Sequence, residues 1–190
     1  MEDSESAHHV IVDHMNEYRI GFAELYKTAF GEAPYFESYT IDEVIRDVWD
    51  PHVRGSHCVI VVTRGESVIG LGCAHAVEDE MSSIGAFLAE QAEAGHDIPF
   101  PTASTLYMSE LAVAPSARGN GLGNRLVELR HQWGRQNGFT HFCMRTAAEG
   151  SNSRRLYERL GALVAPFVQD VTGEAVESQS DSRIILYGTL

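Results

Sequence analysis

Apolar positions along the chain change period several times, and each change marks an element. From position 18 to 30 they recur at 18, 22, 25, 26, 29 and 30, one face of an amphipathic helix. The segment Gly31–Glu32–Ala33–Pro34 breaks it. Thr40 and Glu43 spell a capping box for a second helix that runs to about Trp49, where Pro51 closes it. Residues 58–62 and 68–77 are β-branched runs around a short polar break, the pattern of a hairpin. Gly70, Gly72 and Ala74 in the second run predict close backbone approach. Residues 78–101 are irregular, with a helix expected over 81–94.

Residues 106–113 read as a strand. They lead through a glycine-rich turn into a helix whose Leu122, Leu126, Leu129 and Trp133 share a face, and Gly138 ends it. Residues 140–146 alternate as a strand. Ser151 or Asn152 caps a short helix through Arg159, stopped by Gly161. Residues 162–170 and 184–190 form a last β pair joined by a stretch rich in Glu and Ser. A short first strand is expected at 9–12, after a disordered segment 1–7. Alternating strands and helices with hairpins at both ends predict a mixed α/β sheet in one domain, 8–190.

Charge sharpens this picture. Lys and Arg total 14 against 27 Asp and Glu, a net charge of −13. That argues against nucleic acid or an anionic membrane surface as partner; it suits a cationic substrate such as an amine, and equally serves solubility. No apolar run approaches the roughly 18 residues of a membrane span, and the start MEDSESAHH lacks the features of a signal peptide, so a cytoplasmic location is expected. Cys58, Cys73 and Cys143 lie in apolar strand-like runs without C-x-x-C spacing. They are expected as buried thiols, with no disulfide and no metal site.

The candidate chemistry centres on the turn before the long late helix. Glycines that feed a helix N-terminus leave main-chain N–H groups free, and the helix dipole favours an anion there. A P-loop is excluded because Asn124 and Arg125, not Lys and Ser/Thr, follow Gly123. A dinucleotide fingerprint is excluded because its last glycine falls on Asn124. The run Arg118–Gly119–Asn120–Gly121–Leu122–Gly123 instead resembles the [RQ]-x-x-G-x-[GA] signature of the GNAT superfamily of acyl-CoA-dependent N-acyltransferases. Residues 110–115 look like that family's fourth strand and its Pro-containing exit, and residues 155–162, with Tyr157 and Gly161, resemble its later motif.

The resemblance implies an α/β GNAT fold: a single mixed, mostly antiparallel sheet, helices on both faces, and a splay between the fourth and fifth strands. It implies acetyl-CoA as cosubstrate. The diphosphate would lie on the N–H groups of Arg118, Gly119, Asn120, Gly121, Leu122 and Gly123, and the pantetheine arm along Leu111, Ala112 and Val113. Glu110 is the expected general base; its plainer alternative is an exposed or salt-bridged glutamate. Tyr157 is the expected acid toward the sulfur; its plainer alternative is a core tyrosine packed with Leu156 and Leu160 on an amphipathic helix. Alternation puts Glu110 and Ala112 on the face opposite Leu111 and Val113.

Tyr35, Phe36 and Glu37, in the loop between the first two helices, are expected acceptor contacts with Glu110. The family's asparagine seven residues before the tyrosine is Gly150 here, so coenzyme contacts from that loop shift to Asn152 and Ser153. His75 and His141 are fallback bases, and the acidic stretch 78–101 could help gather a cationic amine. The implied activity is N-acetyl transfer to a primary amine of a small cationic molecule: an amino sugar, an aminoglycoside or a polyamine. The rivals are acetylation of a protein N-terminus or lysine, and a non-catalytic acyl-CoA sensor. A homodimer is compatible with the resemblance.

Overall fold

The computed structural model describes residues 4–80, 82–171 and 182–190. Among these, seven strands form one sheet in the order β1-β2-β3-β4-β5-β7-β6. They are β1 (Glu5–His9), β2 (Cys58–Arg64), β3 (Ser67–Ala76), β4 (Thr105–Val113), β5 (His141–Ala147), β6 (Leu163–Asp170) and β7 (Ser182–Thr189). Every neighbouring pair is antiparallel except β4 and β5. The expected mixed sheet is therefore what forms. No helix among the described residues is long and apolar enough to cross a membrane.

Both faces of the sheet are covered, which explains why β2 is apolar at successive positions. Cys58, Ile60 and Val62 pack toward α5 (Leu122–Gln136) and α6 (Asn152–Arg159). Val59 and Val61 pack toward α1 (Met15–Phe30) and the segment formed by α2 (Ile41–Val44), a π turn (Ile45–Trp49) and α3 (Asp50–Arg54). On the α1 side of β5 and β7, α4 (Ser83–Glu93) buries Ile84, Phe87 and Leu88 against Tyr107, Cys143 and Ile185. The three cysteines are free and buried, and burial pushes the Cys58 thiol up to about 12.

Three elements differ from expectation. The first strand lies at Glu5–His9 rather than 9–12, so residues 5–7 pair with β2 instead of being disordered. Alternate residues of this strand need not be apolar, since it lies at the sheet edge. Pro51 does not close the second helix, which continues to Arg54. The wide π turn just before it, where Asp50 donates to Ile45, opens the ladder that a proline ring would otherwise clash with. The buried stripe of α5 runs through Leu122, Leu126, Arg130 and Gly134, while Leu129 and Trp133 are only partly buried. An arginine on a buried stripe is invisible to an apolar pattern. The polar stretch between the last two strands lies mostly outside the described residues.

The decisive irregularity is in β4. Between the pairs Cys73↔Glu110 and His75↔Tyr107, β3 advances from 73 to 75 while β4 goes from 107 to 110. β4 thus carries one extra residue at Met108–Ser109, a β-bulge. It reverses the alternation: Met108 packs on the α5 side and, beyond the bulge, Ala112 packs on the α1 side. Pairing with β5 is confined to residues 105–107, so the two strands part after Tyr107. Here is the expected splay between the fourth and fifth strands.

The helix that carries the glycine turn is seated by Leu126, which is fully buried. Its Cδ1 lies 3.1 Å from where a Cβ on Gly70 would stand. Leu126→Ala should lower unfolding stability by about 2–5 kcal/mol, read from a urea midpoint that falls at constant slope.

Candidate active site

β4 leaves the sheet through a short 3-10 turn, Pro115–Ala117, and the chain then reaches Gly119 and Gly121, both at φ 81°. That left-handed conformation strains any residue with a side chain. A Cβ at either position would meet nothing within 4 Å, so the glycines serve the backbone path and open approach, not packing. Gly121 caps α5, and the first helical bond is Arg125 N to the Gly121 carbonyl at 3.1 Å. The N–H groups of residues 119–124 consequently have no partner among the described residues. Arg118 closes the turn: its Nε donates to the Val113 carbonyl at 3.1 Å, and its Nη2 lies 2.7 Å from Glu32 Oε2.

This turn forms one wall of a cleft of about 680 Å³. Arg155, Arg159, Asn152 and Ser153 of α6 form the facing wall, and Glu32, Pro34 and Tyr35 bound it from the loop after α1. Three arginines thus face one cleft in a chain of net charge −13. Leu111, Ala112 and Val113 line its floor. Ala114 N donates to the Ile69 carbonyl at 2.9 Å; by antiparallel alternation Leu111 and Val113 direct their main-chain groups away from β3, toward the open edge left by the splay. Free amides, arginines and an unpaired strand edge fit a nucleotide diphosphate with an extended polar arm.

The acetyltransferase (GNAT) family model matches residues 21–162. The chain belongs to this family. Similar solved structures include an N-acetyltransferase from Staphylococcus aureus Mu50, 14% identical, with 98% of each chain covered and a TM-score of 0.66. A putative acetyltransferase from Salmonella typhimurium with its cofactor acetyl-CoA is 15% identical over 98% of this chain and 94% of that one, TM-score 0.66. A mosquito arylalkylamine N-acetyltransferase-like protein is 19% identical over 98% and 100%, TM-score 0.66. No curated protein matches the chain. As a GNAT acetyltransferase it is an acyl-transferring enzyme that uses acetyl-CoA.

Glu110 lies beyond the bulge on the α1 face, partly buried. Burial, then the nearby Glu37 carboxylate, raises its carboxyl to about 7; the Tyr26 hydroxyl, Arg145 and Arg130 oppose that rise. Tyr26 lies close to both Glu110 and Tyr39, and Tyr39 lies close to Glu37. The Tyr26 and Tyr39 rings meet edge to face at 5.5 Å. Glu37 also lies 3.8 Å from Arg183, whose guanidinium stands 5.3 Å over the Tyr35 ring. The Tyr35 hydroxyl bonds Thr146 Oγ1 at 2.9 Å, which bonds the α6 cap Ser151 at 2.6 Å. These contacts tie the loop after α1 to the far side of the splay.

Tyr157 is fully buried and does not line the cleft, although its neighbour Leu156 does. Its hydroxyl meets Arg130 Nη2 at 3.0 Å, and Arg130 Nη1 donates to the Glu110 carbonyl at 2.8 Å. One guanidinium therefore connects the two residues expected as acid and base. Burial raises the Tyr157 phenol, and Arg130 pulls it back.

Not every expected residue gathers here. Phe36 is 48% exposed, and neither it nor the exposed Asn120 lines the cleft. His75 is buried beside His52 and His57, with ring centroids 5.6 and 5.4 Å away. His141 bonds Thr140 at the start of β5. None of the described residues of 78–101 lines the cleft. Gly150 sits at φ 71°, a conformation that favours glycine over most residues at that place. Tyr26, Arg130, Arg155 and Arg159 escaped the sequence reading because aromatic and basic residues on helices look like core and solvated faces, and Glu32 and Tyr39 because a loop carries no periodic signal.

Two expectations follow from these charges. Glu32 opposes an incoming diphosphate and occupies Arg118, so Glu32→Gln should tighten coenzyme A binding by up to about fivefold, matching the ~1 kcal/mol an exposed pair can reach, measured by calorimetry. Folding raises the Glu110 carboxyl to about 7 from the 4.5 of a free carboxyl. Its neutral form is favoured by folding, so its contribution is complete below 4.5 and is lost as pH rises through about 7. Glu110→Gln should thus gain stability relative to wild type over that window, by of order 3 kcal/mol at most, and hold that gain at higher pH in urea titrations.

Proposed function

We propose that this GNAT enzyme transfers the acetyl group of acetyl-CoA to the primary amine of a small cationic molecule, with an amino sugar, an aminoglycoside or a polyamine as the acceptor class. The observation that carries this reading is Glu110: a carboxyl held near 7, on the same face as Tyr26, Tyr39 and Glu37. A group at that pKa is matched to accepting a proton near neutral pH. An alkyl ammonium with pKa of about 10.4 is only roughly one part in 10³ neutral at pH 7, so a base beside the acceptor is needed. The carboxylates of Glu37 and Glu110 with three tyrosine rings favour a cation, while Arg183 is drawn onto Glu37 and Tyr35.

In this reading the amides of residues 119–124 with Arg118 hold the diphosphate, and Leu111 and Val113 pair with the pantetheine arm. The Val113 N–H faces the thioester oxygen as charge gathers on it. Glu110 takes the proton of the attacking nitrogen, directly or through water, as the C–N bond forms. Tyr157 gives its proton to the sulfur as the C–S bond breaks, and water returns the proton from Glu110 to Tyr157. Neighbouring folds are named for both ribosomal-protein alanine and arylalkylamine acetylation, so the choice of a small amine rests on the acidic, aromatic acceptor side.

Glu110→Gln should lower kcat/KM by about 10²-fold and remove the acidic limb near pH 7; Tyr157→Phe should lower kcat about tenfold or more. Full turnover in both variants would exclude these roles. Assays against polyamines, amino sugars and peptides test the acceptor class, and turnover confined to peptides would overturn it.

A further inference from the structure

Arg130 lies at the middle of α5 and is fully buried. Four oxygens surround its guanidinium. Nε donates to the Leu126 carbonyl at 3.2 Å, and Nη1 to the Cys73 and Glu110 carbonyls at 3.3 and 2.8 Å. Nη2 donates to the Tyr157 hydroxyl at 3.0 Å. None of these partners is charged, and no carboxylate among the described residues pairs with it within 4.0 Å. Room for it comes from Gly72, where a Cβ would stand 3.0 Å from Arg130 Nε and 3.1 Å from Cδ. The strand carbonyls it reaches belong to Cys73 and Glu110, the pair at the bulge of β4.

Burying a cation against neutral acceptors is a poor route to stability, since an apolar side chain of similar volume often serves as well. The geometry has another use. An arginine has donors and no acceptor, so the Tyr157 oxygen must accept, whatever the placement of its hydrogen. The proton of that phenol is thereby left for a different partner.

We propose that Arg130 is a positioning residue of acyl transfer: from the bulge it holds the Tyr157 hydroxyl as an acceptor, frees its proton for the leaving sulfur, and fixes it relative to the strand that bears Glu110. This rests on Tyr157 being the acid. When that proton departs, the phenolate is left against the guanidinium. Arg130 from α5 is the hydrogen-bond partner of the hydroxyl and favours the ionised phenol, while the Cys143 thiol, which packs on the other face of β5, opposes it.

The test uses Arg130→Met and Arg130→Lys, each in wild type and in Tyr157→Phe. Arg130→Met should lower kcat about tenfold and leave KM for acetyl-CoA within about twofold, with Arg130→Lys recovering part of the loss. In Tyr157→Phe the same change should alter kcat by less than about twofold. Without any substrate, the tyrosinate absorbance assigned to Tyr157 (spectra minus those of the matching Tyr157→Phe protein) should titrate at higher pH in Arg130→Met. Gly72→Ala displaces the guanidinium while keeping its charge, and should lower kcat less and with the same dependence on Tyr157, even where Arg130→Met folds poorly. A Tyr157→Phe enzyme with full kcat would overturn the acid assignment beneath the proposal. A strong Tyr157→Phe defect, with an Arg130→Met loss undiminished in that background or an unmoved phenol titration, would overturn the role of Arg130 alone.

Discussion

A strand paired on both edges has no main-chain groups to offer a ligand. β4 is paired with β3 along most of its length, yet it abandons β5 after three residues. The one-residue bulge at Met108–Ser109 accompanies that departure and does a second thing: it changes which face each later side chain occupies. Were the strand regular, Glu110 would share the face of Met108 and point into the leucines of α5. With the bulge it meets Tyr26 of α1 instead. An open edge and an acidic side chain on the α1 face thus occur together in the stretch of β4 beyond one inserted residue.

The energetics divide along the same line. On the α5 face the sheet buries leucines and a guanidinium surrounded by neutral oxygens. On the α1 face it buries aromatic rings, phenols and a carboxyl shifted toward neutrality. A strongly acidic chain nonetheless presents Arg118, Arg155 and Arg159 to one cleft. Net charge describes how the molecule meets solvent, and local placement decides what it can hold.

How much of this could be read from the residues depends on what each feature demands. The glycine turn was legible because left-handed backbone at positions 119 and 121 admits few alternatives, and because a helix start after it needs free amides. The hairpin of β2 and β3, the cap at Ser151 and the stop at Gly161 were legible for similar local reasons. The bulge was not. Met108, Ser109 and Glu110 suit a regular strand equally well, and only the partner strand reveals the extra residue. Arg130 was hidden because helical patterns are found from apolar residues, and Gly72, which makes room for it, signals close approach without saying of what. Pro51 misled because a proline usually ends a helix, and the π turn that accommodates it has no spelling of its own. The roles of Tyr26 and Tyr39 depend on Glu110 facing them, which again awaits the bulge.

The glycine turn and the buried guanidinium share one rigid rod. Leu122, beside the glycine turn, and Arg130 stand on the same helix, about 12 Å apart along its axis at 1.5 Å per residue. The amides that open on the cleft and the donor that meets the Tyr157 hydroxyl therefore keep a separation set by helix geometry and by no loop between them.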